Sequence, residues 1–321
     1  MEERTELMQS WLERIDGRRA RVVLADGDDE RVQVAAARLA KLGIEPVLIS
    51  DLATPTKHDG VEVMSTQDLA TGSAGKEVYD LLRERGKPEE FARTCSRDAI
   101  YLGACLARRG DVHAAVAGSN RPTSDVLRAG LHVMGLAEDT KSLSSSFLLR
   151  MPDGRVFCFA DCSVIPEPTI EQLADIAISS ARTFTYLSGE RPMVALLSFS
   201  TKGSAAHPSL DRLRKAREIV SARAPELVID DELQFDAALV ESVARRKAPD
   251  SLVAGHANVF VFPDLASGNI GYKIAERWGG AQSFGPLLQG LSGVINDLSR
   301  GCSVEDIVNV SLISSLQALQ S

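Results

Sequence analysis

The sequence predicts an α/β fold, and three observations carry that reading. Short apolar runs of strand character alternate along the chain with segments of helical period. The chain has 321 residues, more than one ordinary core organises, so two domains or one large α/β unit is expected. Two of the strand-like runs end in polar, glycine-containing turns, which is where α/β sheets place their ligands.

The elements follow in chain order. The opening MEERTELMQSWLER is charged and helical in pattern, without the apolar core of a secretory signal. Residues 21–26 (RVVLAD) read as a buried strand. Residues 28–42 read as a helix, with Val32, Ala35, Ala36 and Leu39 on one stripe. Residues 45–50 (EPVLIS) form the next strand, and 112–118 (VHAAVAG) another, ending in a Gly-Ser-Asn turn before a helix over 124–133. Residues 141–150 and 155–161 read as two strands joined by Pro152-Asp153-Gly154, a strong turn signal, and this hairpin is a candidate hinge into a second domain. A helix over 169–184 opens on a Pro-Thr start signal. Strands follow at 193–199 (MVALLSF) and 258–262 (NVFVF), with turns at 200–204 (STKGS) and 263–269 (PDLASGN). The last segment, 304–319, carries Ile307, Val310, Ile313 and Leu316 on one helical face.

Composition excludes several classes. Apolar residues make up 44% and charged residues 25%, ordinary for a soluble globular protein. The net charge of −8 argues against nucleic acid as a partner, because a phosphate backbone requires a basic face. A small anionic ligand needs only a few placed arginines. The five cysteines (Cys95, Cys105, Cys158, Cys162, Cys302) and five histidines show no metal spacing, so no metal is expected. Free thiols and the absence of any long apolar run point to a reduced, cytoplasmic protein without a membrane span.

The most informative stretch is Asn296-Asp297-Leu298-Ser299-Arg300-Gly301-Cys302-Ser303-Val304-Glu305-Asp306. It sets an arginine, a serine and a carboxylate beside a helix start. The arginine can hold an oxyanion, the serine can orient a nucleophile, and the carboxylate can take its proton. A structural reading stands beside this one: Ser303 and Asp306 have capping-box spacing, and Asn296 and Asp297 suit a turn. In the segment 118–128 (GSNRPTSDVLR) a strand ends before a helix, so its free N–H groups offer an anion site to which Arg128 can add a bidentate contact. An ordinary capped loop explains the same segment equally well. The turn 200–204 offers backbone N–H groups and Lys202 to phosphate, although Walker spacing is absent, as is a dinucleotide fingerprint.

These segments together resemble the phosphate acetyltransferase (phosphotransacetylase) family, nearly end to end. The likeness is carried by 28–32 (DDERV), 116–128 with its T-x-D-x-L-R element, 196–204 (LLSFSTKGS), 232–238 (ELQFDAA), 258–273 (NVFVFPDLASGNIGYK), 285–290 (GPLLQG) and 296–302 (NDLSRGC). The resemblance implies reversible transfer of an acetyl group between coenzyme A and phosphate by direct thiolate attack, with no tightly bound cofactor. It implies two α/β domains with a central cleft between them, an isocitrate/isopropylmalate dehydrogenase-like arrangement. Residues 1–140 with 288–321 would form domain I, and 141–287 domain II. It further implies a homodimer with coenzyme A and acetyl phosphate as its small-molecule substrates.

The family's catalytic serine, arginine and aspartate fall on Ser299, Arg300 and Asp306. Its substrate arginines fall on Arg128 and on Arg83, with Arg85 as the rival for the second place. Coenzyme A contacts are assigned to Ser299, Lys202 and Asn296. The chain departs from the family pattern at Asp231, where relatives carry glycine, and at Arg121-Pro122, where small residues are usual; the latter change bears on acyl preference. Two other readings remain at this point: a butyryl-type acyl transfer, and a non-catalytic effector-binding module of the same fold. The presence of Ser299, Arg300, Asp306 and Arg128 favours an enzyme.

Overall fold

The structure is a computed structural model that describes residues 6–52 and 58–319. The chain is a mixed α/β protein of two compact units. Unit 1 comprises the described residues of Met1–Ala137 and Leu291–Ser321; unit 2 is Glu138–Gly290.

Unit 1 opens with α1 (Glu6–Ile15), β1 (Arg21–Leu24), α2 (Glu30–Lys41), β2 (Glu45–Ser50) and β3 (Glu62–Ser65). There follow α3 (Thr66–Thr71), α4 (Ser73–Glu84), α5 (Glu89–Cys95), α6 (Ala99–Arg109), β4 (Ala114–Ala117) and α7 (Thr123–Ala129). Helix α7 runs on into a π-helical turn, Gly130–Met134, so the single helix expected over 124–133 is two segments of different pitch. Unit 2 contains β5 (Ser144–Arg150), β6 (Val156–Ala160), α8 (Ile170–Ser188), β7 (Met193–Leu197), α9 (Pro208–Arg223) and β8 (Val228–Leu233). It continues with α10 (Phe235–Leu239), α11 (Glu241–Lys247), β9 (Val259–Val261), α12 (Leu265–Arg277) and β10 (Gln282–Gln289). The chain then returns to unit 1 for β11 (Val294–Asp297) and α13 (Val304–Ala318).

The unit 1 sheet has the order β11-β4-β1-β2-β3, parallel throughout. The expected buried strands are its centre: β1 and β4 carry apolar residues on both faces, as a sheet covered by helices on each side requires. Helix α13 packs on α1, α2, β4 and β11, while α6 packs on β1, β2 and β4. The unit 2 sheet has the order β10-β5-β6-β9-β7-β8. Its β6-β9-β7-β8 half is parallel, and the β10-β5-β6 half is antiparallel. The turn between β5 and β6 is the predicted one, with Gly154 at φ 90°, but the hairpin is part of the unit 2 sheet rather than a hinge into it. Thr169 caps α8 in a capping box with Gln172, so the helix starts where the Pro-Thr signal places it.

The segment 263–269, expected as a polar turn, is instead mostly helix. Asp264 caps α12 by accepting from the Ser267 N–H at 2.8 Å. The glycine that suggests a turn is there for close packing: a Cβ at Gly268 would lie 2.2 Å from the Asp161 carbonyl oxygen.

Candidate active site at the carboxyl edge of the unit 1 sheet

Because β1, β4 and β11 are neighbouring parallel strands, the loops that follow them emerge side by side. Those loops are residues 25–29, 118–122 and 298–303. Ser299 and Arg300 lie in the third, which turns tightly: the Cys302 N–H donates to the Ser299 carbonyl at 2.8 Å, and the Gly301 N–H to Ser299 Oγ at 3.3 Å. Both side chains are exposed. Six residues after Arg300 comes Asp306, also exposed, in a complete capping box. Its Oδ2 accepts from the Ser303 N–H and hydroxyl, both at 2.8 Å, and its own N–H donates to Ser303 Oγ at 3.2 Å. The capping reading of this spacing is therefore correct, and it ties the carboxylate to Ser303, the last residue of the loop that carries Ser299 and Arg300. The chemical reading is compatible with it.

Arg31, on the first turn of α2, binds the three loops together. Its guanidinium donates to the carbonyls of Arg300 (3.0 Å), Cys302 (2.8 Å) and Ser119 (3.0 Å), and to Asp29 Oδ2 at 2.6 Å. Burial works against the charge on Asp29, but hydrogen bonds from Arg31 and Ser119 outweigh it and hold that carboxyl below the ordinary range. Asp26, at the end of β1, accepts from the N–H groups of Gly118 (2.7 Å) and Ser119 (2.9 Å). Burial raises its pKa, and the nearby Asp29 adds to the effect.

Asn296 and Asp297, read from sequence as turn formers, are the last two residues of β11 and fully buried. The Asn296 amide donates to Ser314 Oγ at 2.8 Å and to Gln317 Oε1 at 2.7 Å. It anchors α13 to the sheet and so leaves the candidate coenzyme A set. The Asp297 carboxyl accepts from the Thr123 hydroxyl at 2.5 Å. Gly118, at φ 105°, is required here, since a Cβ would come 2.3 Å from Asp297 Oδ1.

Arg128 lies on α7 with its side chain 54% exposed, lightly held by Ser124 Oγ at 3.4 Å and Asp125 at 3.5 Å. Such a guanidinium is available to an anionic ligand. Arg121, the departure from the family pattern, is paired with Asp98 (3.0 Å) and Asp125 (2.8 Å), so its charge is satisfied within unit 1. Arg83 and Arg85 are both exposed at the end of α4. Arg83 makes a local bond to the Lys87 carbonyl (2.6 Å), whereas Arg85 reaches the Leu131 carbonyl (2.8 Å) in the distant π-helical turn. Burial, assisted by Lys87, Arg85 and Arg128, lowers the pKa of His132 in that turn.

Lys202 belongs to unit 2. Its ammonium is held by Asp230 at 2.5 Å and Asp231 at 3.5 Å, so the residue at the glycine departure helps to occupy the lysine expected to meet phosphate. Cys302 is buried, which pushes its thiol up to about 11 despite Arg31 nearby. A thiol so raised is only about one part in ten thousand thiolate at pH 7. Among the described residues no cluster of His, Cys, Asp and Glu has metal-binding geometry, and no helix is long and apolar enough to cross a membrane. Sequence reasoning overlooked Asp26 and Asp297 as site residues, and it placed Arg31 and Asp29 only within a family motif. The signal available for Asp26 was its place at the carboxyl end of a buried strand; for Asp297 none was available locally.

Known proteins fit this description. Residues 6–315 match the family described as "Phosphate acetyl/butaryl transferase". The phosphate acetyltransferase of Clostridium acetobutylicum is 41% identical, over 98% of this chain and 98% of its own. That of Paracoccus denitrificans is 43% identical, over 92% and 94%. A phosphotransacetylase structure from Streptococcus pyogenes superposes with a TM-score of 0.91 at 39% identity, covering 98% of each chain. A branched-chain phosphotransacylase from Enterococcus faecalis shares the fold, with a TM-score of 0.70 at 19% identity. Fold and relatives together define an α/β enzyme of the transferase class. The chain belongs to the phosphate acetyl/butyryl transferase family.

Proposed function

We propose that this protein transfers an acetyl group reversibly between coenzyme A and phosphate, with Ser299, Arg300 and Asp306 as the reacting constellation. The observation that carries the reading is that one short segment after β11 carries the Ser299–Arg300 turn and the Asp306 carboxylate capped on Ser303, while the neighbouring strand β4 leads to the helix of Arg128. A free thiol has a pKa of roughly 8.5, so a neighbouring base is needed for fast attack at neutral pH. Asp306 takes the thiol proton of coenzyme A, and Ser299 holds the sulfur by a hydrogen bond. The thiolate attacks the carbonyl of acetyl phosphate. Arg300 stabilises the tetrahedral oxyanion, and phosphate leaves while held by Arg128 and Arg83. Arg83 takes this place over Arg85 because its own bond is local and replaceable, whereas Arg85 ties two distant segments together.

Both substrates are held at once, so no covalent enzyme intermediate or tightly bound cofactor is involved. The reading includes a cytoplasmic homodimer. Its assembly is supported by Ile270, Ile274 and Trp278, which form an exposed apolar stripe at helical spacing along the end of α12. The butyryl alternative differs only in pocket volume and is not favoured, since relatives 39%, 41% and 43% identical over more than nine-tenths of the chain are named for acetyl transfer. The test is coenzyme A-dependent consumption of acetyl phosphate with butyryl phosphate run in parallel. Turnover of acetyl phosphate at the higher kcat/KM supports the reading; preference for butyryl phosphate, or turnover of neither, overturns it.

A further inference from the structure

Asp297 is the one described residue whose side chain has a buried polar atom, Oδ1, without a hydrogen-bond partner. Its other oxygen, Oδ2, meets the hydroxyl of Thr123, the first residue of α7. The Leu298 N–H donates to the Ala117 carbonyl at 2.8 Å, so the chain beyond β11 leaves in register with the chain beyond β4. The contact therefore spans two elements of the site. Helix α7 carries Arg128, and the loop after β11 carries Ser299 and Arg300.

We propose that Asp297 is a positioning residue whose carboxyl, through Thr123, sets the Arg128 helix against the Ser299–Arg300 turn. The inference rests on the acetyl-transfer reading and adds a residue that does not touch the reacting atoms. It also assigns a state to the carboxyl. An ionised carboxylate with one buried oxygen unpaired is strongly disfavoured, and a neutral acid is not. Of the charged groups on surrounding elements (Asp26 after β1, Asp125 and Arg128 on α7, Asp306 on α13), Asp26 is the one whose charge bears on Asp297, and it opposes ionisation. The neutral acid is the working form, and ionisation at alkaline pH loosens the tie.

The experiment compares wild type, Asp297→Asn, Asp297→Ala and Thr123→Val by steady-state kinetics with acetyl phosphate across pH 6 to 9, and by calorimetry with inorganic phosphate. The amide is neutral and keeps the acceptor for Thr123. Wild type should lose activity toward alkaline pH; Asp297→Asn should retain kcat within about threefold and lack that fall, whereas Asp297→Ala and Thr123→Val should lose kcat by about tenfold or more. Phosphate binding should weaken in the same order. Asp297→Asn as impaired as Asp297→Ala, or with the wild-type alkaline limb, overturns the proposal, as do Asp297→Ala and Thr123→Val with wild-type constants. A wild type that turns over neither acyl phosphate refutes acetyl transfer itself. The tie is then decided by phosphate binding alone: it stands if Asp297→Ala and Thr123→Val bind about tenfold more weakly than Asp297→Asn, and falls if all three bind alike.

Discussion

Replacing Asp297 by Asn should make the protein more stable, and increasingly so as pH rises. Burial, reinforced by Asp26, pushes the Asp297 carboxyl from 3.8 up to about 7. A group with its folded pKa raised contributes stability that is fully present below the unfolded pKa and is lost as pH climbs through the folded one. The relevant window is therefore about pH 4 to 7. The separation of about three pH units, at about 1.36 kcal/mol each, corresponds to about 4 kcal/mol lost by wild type and not by Asp297→Asn. The difference between the two proteins cancels every carboxylate they share. Urea denaturation at pH 4.5, 6, 7 and 8 measures it.

Tryptophan fluorescence restricts the measurement to the relevant unit. Of the two tryptophans, Trp11 is fully buried in unit 1, whereas Trp278 lies on the α12 stripe proposed for dimerisation and is removed by comparing the two proteins in a Trp278→Ser background. The emission change thus reports the unfolding of unit 1, which contains Asp297. A stability difference that does not change with pH would refute the neutral-acid reasoning. So would one that narrows as pH rises.

Arg300→Ala should lower kcat by about 10²–10³-fold through the lost oxyanion contact, and Asp306→Ala by about 10²–10⁴-fold, in coenzyme A-dependent consumption of acetyl phosphate. Cys302→Ala should keep kcat within about threefold, because a buried thiol held near 11 is a poor nucleophile; a folded but inactive variant would replace direct transfer with a covalent route. Arg128→Ala and Arg83→Ala should raise KM for acetyl phosphate by about tenfold with little change in Tm, whereas Arg85→Ala should lower Tm and leave KM near wild type. Trp278→Ser should shift the molecular mass measured by light scattering from dimer toward monomer; an unchanged mass would place the interface elsewhere.

The sequence spoke clearly wherever structure depends on neighbours along the chain. The helix over 304–318 follows from Ile307, Val310, Ile313 and Leu316, and its cap from the spacing of Ser303 and Asp306. The β5–β6 turn follows from Pro152-Asp153-Gly154. It spoke poorly where a residue's role is set by a partner far away. Asp297 resembles a turn residue until Thr123, 174 positions earlier, is seen donating to it. Arg31 resembles a solvated helix residue until it reaches carbonyls 269 and 271 positions on. Strand β10 was hidden by Gly285-Pro286 within its span, which the ladder accommodates as an irregularity between Phe284 and Leu287. Helix α12 was hidden because glycines chosen for contact with Asp161 and Phe262 carry the same letters as glycines chosen for turns.

Unit 1 is interrupted in sequence, and this bears on how the protein comes to be made. During synthesis the ribosome releases β1 to β4 first, then all of unit 2 as one continuous stretch, and only afterwards β11 and α13. Unit 2 can collapse on itself as soon as it emerges. The first sheet must wait with β4 as an open, apolar edge until β11 arrives to pair with it. Ser299, Arg300 and Asp306 all lie beyond that final strand, so a nascent chain stalled before residue 294 has Arg128 but lacks the reacting constellation proposed above. On that proposal a truncated chain is inactive. In exchange, an unpaired strand edge stays exposed to chaperones and to other chains until translation is nearly over.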